Sequence, residues 1–436
     1  MYFIYQFLKI IVKIALWIYF PGTKVKNRER LLFEGPAIVI SNHPNTLMDV
    51  LNIAARAREQ FHFLANAGLF KSKFGNWFFN TFYCIPIERT LDTGGKPLNN
   101  TSSFERCFEH LEKGGTIYIA AEGTSWMERH LHPFKTGTAR IALGVESRHG
   151  FQLGMKIIPV GLNYSAPTEF RSRVFIKVGA PVYLKDFEQK YKEDEVATVR
   201  HVTQLLESAV QTLIIDTEDE AADQLIVKLE QMWQNNQVLD VEGQFERTNR
   251  AINNLSAWKS SESADFENFA EKVNRYFAAL EKYQIQDDTV AKANNTGLWW
   301  RMLLLCGGLP VFLYSALNHL LPLGVPFMAA WLLIKRKGLY IGYTSTVKIS
   351  IGVLSVPLFY WLQSEVVQYF FGLGTSWWYL LSLPLAGWIT LAYRALAARA
   401  MSDLRFQNKL HKKDLVEKRI SIKQEIEKRA ILNNKK

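Results

Sequence analysis

The stretch Ala37–Asp49 reads AIVISNHPNTLMD and decides the fold of the first half of this chain. Its first four residues form an uninterrupted apolar run, which is typical of a buried strand. The Asn, Pro and Asn residues that follow interrupt the run, so we expect His43 on a loop at the end of the strand, where functional groups are often placed. Asn45 or Thr46 is suited to cap a helix whose first turns contain Asp49.

His43 and Asp49 can meet only if His43 precedes that helix. Six residues turn by about 600° along a helix, so the two side chains would not share a face if both were helical. A carboxylate beside an imidazole fixes its tautomer and stabilises the imidazolium, and such a pair can take the proton from a hydroxyl nucleophile. The alternative that the motif leaves open is an ordinary loop histidine followed by an acidic residue at a helix N-terminus.

Short apolar runs alternate with helix-like segments through residues 31–184, and this alternation predicts an α/β domain. Helices are expected between the strands, for example at Phe104–Lys113 and Thr138–Glu146. The predicted strands are Ala37–Ser41, Phe61–Ala65, Cys84–Ile87, Thr116–Ala121, Lys156–Leu162 and Val174–Val178.

Charge is unevenly distributed along the 436 residues, which are enough for two or three structural units. Lys and Arg outnumber Asp and Glu by 22 to 13 in residues 1–184, whereas the acidic residues lead by 22 to 11 in residues 185–290. Basic segments beside apolar ones favour an anionic membrane surface as the partner, and no zinc-finger spacing or basic zipper indicates nucleic acid. The three cysteines are far apart and form no metal or redox motif.

Residues 1–30 are expected to form a membrane-interface helix and a basic linker. The run Met1–Phe20 is strongly apolar, and its polar residues Gln6, Lys9 and Lys13 fall within about 60° of one another on a helix. Two lysines in the middle of a helix are costly in lipid, so a helix lying in the interface is favoured over a spanning one. No small-residue cleavage site follows that would indicate a signal peptide.

Residues 185–290 form an acidic segment with an apolar helical stripe, which predicts a soluble helical insert. Residues 291–398 are expected to form a membrane domain. Several of their apolar segments are shorter than the roughly 20 residues of a span, so helix pairs that enter the membrane and return to the same side are an alternative to four crossings. The four predicted segments are Met302–Leu317, Leu320–Ile334, Ile349–Leu362 and Trp377–Tyr393.

Basic residues predict the orientation of this membrane domain. The link Lys335–Lys337 and the predicted tail, residues 399–436, are both basic, whereas the links near 318–324 and 363–376 contain no Lys or Arg. By the positive-inside rule we expect the α/β domain, the basic link and the tail to face the cytoplasm, at the inner membrane if the source is bacterial.

Three further stretches carry candidate site residues at the ends of predicted strands or helices. Arg89 follows an apolar strand and is suited to hold a phosphate, unless it is a surface arginine paired with Glu88. Glu122 precedes a Gly turn, where it either binds an acceptor hydroxyl or holds the turn, and Gly123 permits close approach of the backbone. Lys135 lies just before a predicted helix, where positive charge favours an anion.

The order and spacing of these stretches resemble the glycerolipid acyltransferases, the superfamily that makes lysophosphatidic and phosphatidic acids. The family has four blocks, Asn-His-x4-Asp, Gly-x-Ile-x-x-x-Arg, Phe-Pro-Glu-Gly-Thr-Arg-Ser and an apolar-Pro-Val strand, and the resemblance covers roughly residues 30–185. The matching segments are Asn42-His43 with Asp49, Ile85 to Arg89, Glu122-Gly123-Thr124 and Ile158-Pro159-Val160.

This chain departs from the common family pattern in each of the first three blocks. Five residues separate His43 from Asp49, as in the subset that uses His-Pro-Asn-x-x-x-Asp and that includes relatives resembling fungal glycerol-3-phosphate acyltransferases. Tyr83 replaces the usual Gly of the second block, and the third has Ala-Ala for Phe-Pro and Ser125 for Arg. The last change removes one phosphate contact of the family pattern, which Lys135 or Arg140 would have to replace.

The resemblance implies acyl transfer from a thioester to a glycerol hydroxyl, with His43 as general base and Asp49 orienting it. The acceptor is expected to be glycerol 3-phosphate or its acylated form, and acyl-CoA or acyl-carrier protein would be the donor. It implies no metal and no cofactor beyond that co-substrate. The residues implied in substrate binding are Asn42, Arg89, Glu122, Gly123, Thr124 and Lys135.

Two other classes of function are compatible with parts of the sequence. A non-catalytic membrane scaffold with a degenerate acyltransferase domain would explain the changes in the third block, but not the intact histidine and aspartate. A transporter built on the apolar C-terminal half would require a buried charge pair, whereas the charged residues of its segments are Arg301, Lys348 and Glu365, which lie near their ends.

Overall fold

A computed structural model describes the chain as two compact units. The first unit is Met1–Asp216 with Leu339–Thr346, and the second is Thr217–Gly338 with Val347–Lys436. The residues described are 2–89, 99–292, 297–407, 409–429 and 431.

The first unit is a mixed sheet covered by helices. Its strands are β1 (Lys24–Lys26), β2 (Ala37–Ser41), β3 (Phe61–Asn66), β4 (Cys84–Ile87), β5 (Thr116–Ala120), β6 (Lys156–Tyr164), β7 (Val174–Val178) and β8 (Val182–Tyr183). Its helices are α1 (Tyr2–Tyr19), α2 (Leu47–Ala54), α3 (Lys73–Thr81), α4 (Thr101–Glu112), α5 (Gly137–Arg148), α6 (Glu188–Glu193) and α7 (Glu195–Gln211).

Strand β2 lies in the middle of the sheet, whose order is β1-β7-β6-β2-β5-β3-β4, with β8 paired to β6. All five β2 residues are buried, which explains why its first four residues are all apolar rather than alternating with polar ones. Strands β2, β5, β3 and β4 are mutually parallel, so their carboxyl ends meet at one edge of the sheet. The polar segments that follow these strands are thereby brought to the same edge.

The predicted α/β fold is confirmed, and each predicted strand forms with bounds that differ by at most two residues. The sequence did not predict β1 and β8. Strand β1 reads Lys-Val-Lys, pairs only with β7 and lies at the end of the sheet order, so its alternating polar residues resemble a linker in the sequence.

Helix α7 belongs to the first unit, although the sequence analysis assigned it to an insert beginning at residue 185. Val199, Val202 and Leu206 are buried in the same apolar cluster as the sheet residues Ile38 and Ile117. The acidic composition describes only the exposed face of this helix, whereas its apolar stripe covers the sheet, and the unit ends at Asp216.

Helix α1 packs on the rest of the first unit by the face that carries Lys9, Leu16 and Tyr19. Lys9 Nζ donates a hydrogen bond to the Ala57 carbonyl at 2.7 Å, and Leu16 and Tyr19 are buried. The opposite, apolar stripe is exposed to the surroundings. Its exposed members are Phe3, Ile4, Phe7, Ile10, Ile14, Trp17 and Ile18.

The second unit joins a helical bundle to three long apolar helices. The bundle contains α8 (Glu220–Asn236), α9 (Val241–Ser261), α10 (Ser263–Tyr283), α11 (Asp287–Ala291) and α15 (Lys409–Lys428). The long helices are α12 (Leu298–Trp331), α13 (Thr344–Phe371) and α14 (Leu373–Phe406), and each described range is long and apolar enough to cross a membrane. The first three residues of α13 belong to the first unit, and the rest of the helix belongs to the second.

Three such helices replace the four apolar segments expected from the sequence, because the first two segments lie on α12. The polar residues between them resembled a link, but Asn318 donates to the Tyr314 carbonyl within the helix and accepts from the Tyr379 hydroxyl at 2.7 Å. The helix also contains Pro322, whose carbonyl accepts from the Ser355 hydroxyl. Prolines are tolerated in such helices where neighbouring groups satisfy the backbone. The predicted orientation depended on an even number of crossings and loses that support.

The basic C-terminal segment is part of the bundle rather than a separate tail. Helix α15 buries Leu415, Ile422 and Ile426 in the core of the bundle. Arg419 on this helix donates two hydrogen bonds to the Asp287 carboxylate, at 2.9 and 3.1 Å. The basic residues of α15 thereby offset part of the acidic excess of residues 185–290.

Candidate active site

The His43–Asp49 pair forms as expected, with His43 directly after β2 and Asp49 in the first turn of α2. His43 Nδ1 lies 2.9 Å from Asp49 Oδ2. The Asp49 side chain is completely buried, whereas 17% of the His43 side chain is exposed. A hydrogen bond donated by Nδ1 to a carboxylate selects the tautomer in which Nε2 is the basic nitrogen.

The Asp49 carboxylate is held by the loop that it supports. Its Oδ2 also accepts the backbone N–H of Asn45 at 2.7 Å. Burial raises the pKa of Asp49, and the hydrogen bond from His43 opposes that effect. Thr46 is the residue that caps α2, but its side chain makes no capping bond, and Asp49 provides the acceptor for the preceding backbone instead.

Glu122 connects two loops of the site through backbone hydrogen bonds. Its two carboxylate oxygens accept the N–H of His43 at 2.8 Å and the N–H of His132 at 3.1 Å. Burial raises the pKa of Glu122 to about 7, against the opposing effect of these hydrogen bonds. This geometry corresponds to the second of the two alternatives, in which Glu122 holds the turn and the His43 loop together.

Ser125, at the position where the family pattern has Arg, connects the same two loops. Its hydroxyl donates to the His43 carbonyl at 2.7 Å and accepts the Thr46 N–H at 3.3 Å. The Trp126 N–H donates to the same His43 carbonyl. Sequence reasoning treated Ser125 only as a departure from the pattern, because a hydroxyl that bonds to a distant backbone has no signature in the sequence.

Asn42 extends the pairing of β2 with β6 beyond the end of β2. Its side-chain amide donates to the Leu162 carbonyl at 2.9 Å, and its side-chain oxygen accepts the Leu162 N–H at 2.8 Å. Both polar ends of this side chain therefore bond to one residue of β6. The side chain holds the start of the His43 loop against the sheet.

Gly123 lies at the turn after β5 with a φ of +79°. A Cβ at this position would lie 3.2 Å from Lys135 Cγ, so glycine serves both the backbone conformation and the approach of the lysine. The Lys135 N–H donates to the Ala121 carbonyl, which fixes its backbone beside the turn while its side chain is exposed. Thr124 lies half-buried in the same turn.

Arg89 reaches the same edge of the sheet but at its far end. It follows β4, which is separated from β2 by β5 and β3. At about 4.8 Å between neighbouring strands, the carboxyl ends of β2 and β4 are about 14 Å apart. Asn100 binds the backbone N–H and carbonyl of Glu88 at 2.8 and 3.0 Å, which fixes the backbone just before Arg89.

Comparison with known proteins gives one family model and several relatives. Residues 22–163 match the model described as Acyltransferase. Glycerol-3-phosphate O-acyltransferase 1 of Saccharomyces cerevisiae is 26% identical over 289 residues, which cover 61% of this chain and 37% of that protein. A chloroplastic 1-acyl-sn-glycerol-3-phosphate acyltransferase of Arabidopsis thaliana is 25% identical over 127 residues, covering 29% of this chain and 32% of that protein.

The crystal structure of the 1-acyl-sn-glycerophosphate acyltransferase PlsC from Thermotoga maritima is similar with a TM-score of 0.36 and 20% identity, over 48% of this chain and 78% of that one. The chain thus spans little more than a third of the first of these curated relatives and about a third of the second. The family model and the two curated relatives confirm the resemblance stated from the sequence blocks. Residues 22–163 of this chain are thus the part that is similar to the acyltransferase family.

Proposed function

We propose that this protein is a membrane-bound O-acyltransferase that moves a fatty acyl group from an acyl thioester to a hydroxyl of a glycerol phosphate. The observation that carries this proposal is the contact of 2.9 Å between His43 Nδ1 and the buried Asp49 carboxylate, inside a domain of the acyltransferase family. The named relatives acylate glycerol 3-phosphate or its 1-acyl derivative, which supports these two acceptors.

In the proposed reaction, His43 Nε2 accepts the proton of the acceptor hydroxyl while the hydroxyl oxygen attacks the thioester carbonyl carbon. The tetrahedral intermediate collapses by breaking the carbon–sulfur bond, and the proton passes from His43 to the departing thiolate. The products are an ester and a free thiol. Asp49 holds the imidazole ring and stabilises the imidazolium that forms between the two proton transfers.

The acceptor phosphate is assigned to the basic residues at the same edge of the sheet. Arg89 would bind it through a bidentate contact, and Lys135 would add positive charge beside the Gly123 turn. Acyl-CoA and acyl-carrier protein are the two candidate donors. No cofactor is part of the proposed reaction, since the acid–base chemistry needs only His43 and the thioester.

Membrane association is indicated by the three long apolar helices, and two elements of the first unit support a more specific placement. Helix α1 presents its apolar stripe outward, and α3 exposes Phe74 and Trp77 by 69% and 60%, with Lys73 beside them. Aromatic side chains next to lysine suit the lipid headgroup region. We propose that α1 and α3 lie in the membrane interface. The excess of Lys and Arg over Asp and Glu in residues 1–184 supports the proposal that the first unit faces the cytoplasm.

The proposed reaction is tested with purified protein in nanodiscs and a labelled acyl thioester. Acyl-CoA and acyl-carrier protein are each offered with glycerol 3-phosphate and with 1-acylglycerol 3-phosphate, and His43→Ala is the control. We expect product from one acceptor and its loss in the variant. Product formation by a folded His43→Ala variant at the wild-type rate would refute the role of His43, and no product in any combination would favour the scaffold.

A further inference from the structure

We propose that four residues of the segment Leu339–Thr346 belong to the active site, where they position the two loops that carry its catalytic chemistry. These residues, called the brace below, are Tyr340, Gly342, Ser345 and Thr346. The segment forms part of the first unit, although it lies about 300 residues after His43 in the sequence. This inference rests on the proposed acyl transfer, since the brace can position catalytic groups only if the site catalyses a reaction.

The brace contacts the His43 loop through Thr46. Thr46 Oγ1 lies 2.9 Å from Thr346 Oγ1 and 3.3 Å from the Gly342 carbonyl oxygen. Because a carbonyl only accepts, Thr46 donates to Gly342 and accepts from Thr346. The hydroxyl of Thr46 is thus held from two sides by residues of the brace.

The conformation of Thr46 explains why this contact matters. Its φ is +46°, which is an outlier for a β-branched residue. Such conformations persist only where the surroundings fix them, and here the Thr46 N–H is bound by Ser125 while its hydroxyl is bound by the brace. Thr46 immediately precedes α2, so its backbone sets the direction in which Asp49 meets His43.

A second contact connects the brace to the other side of the His43 loop. The Pro167 carbonyl accepts from the Ser345 hydroxyl at 2.5 Å and from the Asn45 side-chain amide at 2.8 Å. Ser345 is completely buried. Asn45 is also the residue whose N–H binds Asp49, so one shared acceptor joins the brace to the loop beside the catalytic pair.

A third contact reaches the loop that follows Glu122. The Met127 N–H donates to the Tyr340 hydroxyl at 2.7 Å. Burial raises the pKa of Tyr340, and the carboxylates of Glu128, Asp49 and Glu122 act in the same direction. The phenol therefore lies within the electrostatic field of the site.

Glycine at position 342 permits this arrangement. A Cβ there would lie 2.5 Å from Tyr340 Cε1, a distance that would displace the ring. The brace thus holds both loops by hydroxyl and backbone groups, and the loops in turn hold His43 and Asp49. Small displacements of reacting groups have large kinetic effects, since a misplacement of about 1 Å can cost about a hundredfold in rate.

The test compares hydroxyl deletions in the full-length protein in nanodiscs. Thr346→Val removes the hydroxyl that donates to Thr46 at nearly constant volume, and Thr346→Ser restores it. Tyr340→Phe removes the acceptor for Met127. Tyr183→Phe is the matched control, because Tyr183 is an exposed tyrosine on β8. The measurements are kcat, KM for the acceptor, the thermal midpoint, and backbone hydrogen exchange of peptides covering residues 42–49 and 122–128.

We expect kcat to fall about tenfold in Thr346→Val and about threefold in Tyr340→Phe, whose lost bond is partly replaced by water. KM and the thermal midpoint should remain close to the wild-type values, and Thr346→Ser should recover kcat. Exchange should increase in residues 42–49 for Thr346→Val and in residues 122–128 for Tyr340→Phe. If the brace had a structural role alone, the variants would change the thermal midpoint and would not show a lower kcat at an unchanged KM.

Wild-type kcat and unchanged loop exchange in both deletion variants would overturn the inference. If the wild-type protein transfers no acyl group, the proposed function fails, but the exchange measurements still decide whether the brace holds the loops. If Thr346→Val does not fold, Tyr340→Phe decides, because the Tyr340 side chain is substantially exposed and tolerates the loss of its hydroxyl.

Discussion

Replacement of Asp49 by Asn tests whether the carboxylate acts on His43 by charge. The two side chains have nearly the same size, and the Asn oxygen can still accept a hydrogen bond from His43 Nδ1 or the Asn45 N–H. What the variant loses is the negative charge beside the imidazolium that forms when the acceptor hydroxyl is deprotonated. The fold should be retained, because the pKa of Asp49 is raised by burial and a neutral side chain avoids the cost of burying a charge.

The size of the effect follows from the geometry of the pair. With Nδ1 and Oδ2 at 2.9 Å, the charge centres of the two groups are about 4 Å apart, and two unit charges at that separation interact by about 4 kcal/mol at an effective dielectric constant of about 20. Since about 1.4 kcal/mol corresponds to a tenfold change in rate, kcat should fall by about a thousandfold. KM for the acceptor should change little, because neither atom of the pair is assigned to the phosphate.

The assay measures kcat in nanodiscs with a labelled acyl thioester and one acceptor. It compares the wild type, Asp49→Asn, His43→Ala and the double variant. Residues that act as a unit are not additive, so the double variant should be no slower than His43→Ala alone. A folded Asp49→Asn variant within threefold of the wild-type kcat would refute the reasoning. Multiplied losses in the double variant would show that the two residues act separately.

Three further predictions follow from the site and its surroundings. Burial raises the pKa of Glu122 from 4.5 to about 7, so its contribution to stability is complete below pH 4.5 and is lost as the pH rises through about 7. The thermal midpoint of the wild type should therefore fall more steeply across that interval than that of Glu122→Gln, and parallel curves would contradict this. Arg89→Gln should raise KM for glycerol 3-phosphate about tenfold to a hundredfold. Arg58→Gln, which breaks an exposed ion pair with Glu34, should leave this KM unchanged. If the KM of Arg89→Gln equals that of the wild type, Arg89 does not bind the acceptor. A photoreactive side chain at Trp77 should crosslink to lipid in nanodiscs, and the same group at Arg58 should not; no lipid adduct at position 77 would refute the interfacial placement of α3.

The sequence by itself determined the α/β fold and the pairing of His43 with Asp49, because both depend on local patterns. The apolar run before Ser41 predicted a buried strand, and the polar residues after it predicted the loop that carries His43. Asp49 was expected in the first turns of the following helix, where the structure places it. Runs of buried residues and the residues that interrupt them are properties of neighbouring positions, so a single sequence is enough to recognise them.

Only the tertiary structure decided what the supporting residues do. Asn42 was expected at the substrate, and Glu122 either there or in holding the turn. In the structure their polar atoms bind the backbones of Leu162, His43 and His132. Their functions depend on which strands become neighbours, and the sheet order β6-β2-β5 cannot be inferred from the sequence of any single strand.

The same reason applies at longer range. The two apolar segments on either side of Asn318 form one helix because Tyr379, on another helix, satisfies the polar side chain between them. The brace meets Thr46 although about 300 residues separate them. A hydrogen bond between hydroxyls so far apart in the chain leaves no periodicity and no composition bias, so only the folded arrangement places them together.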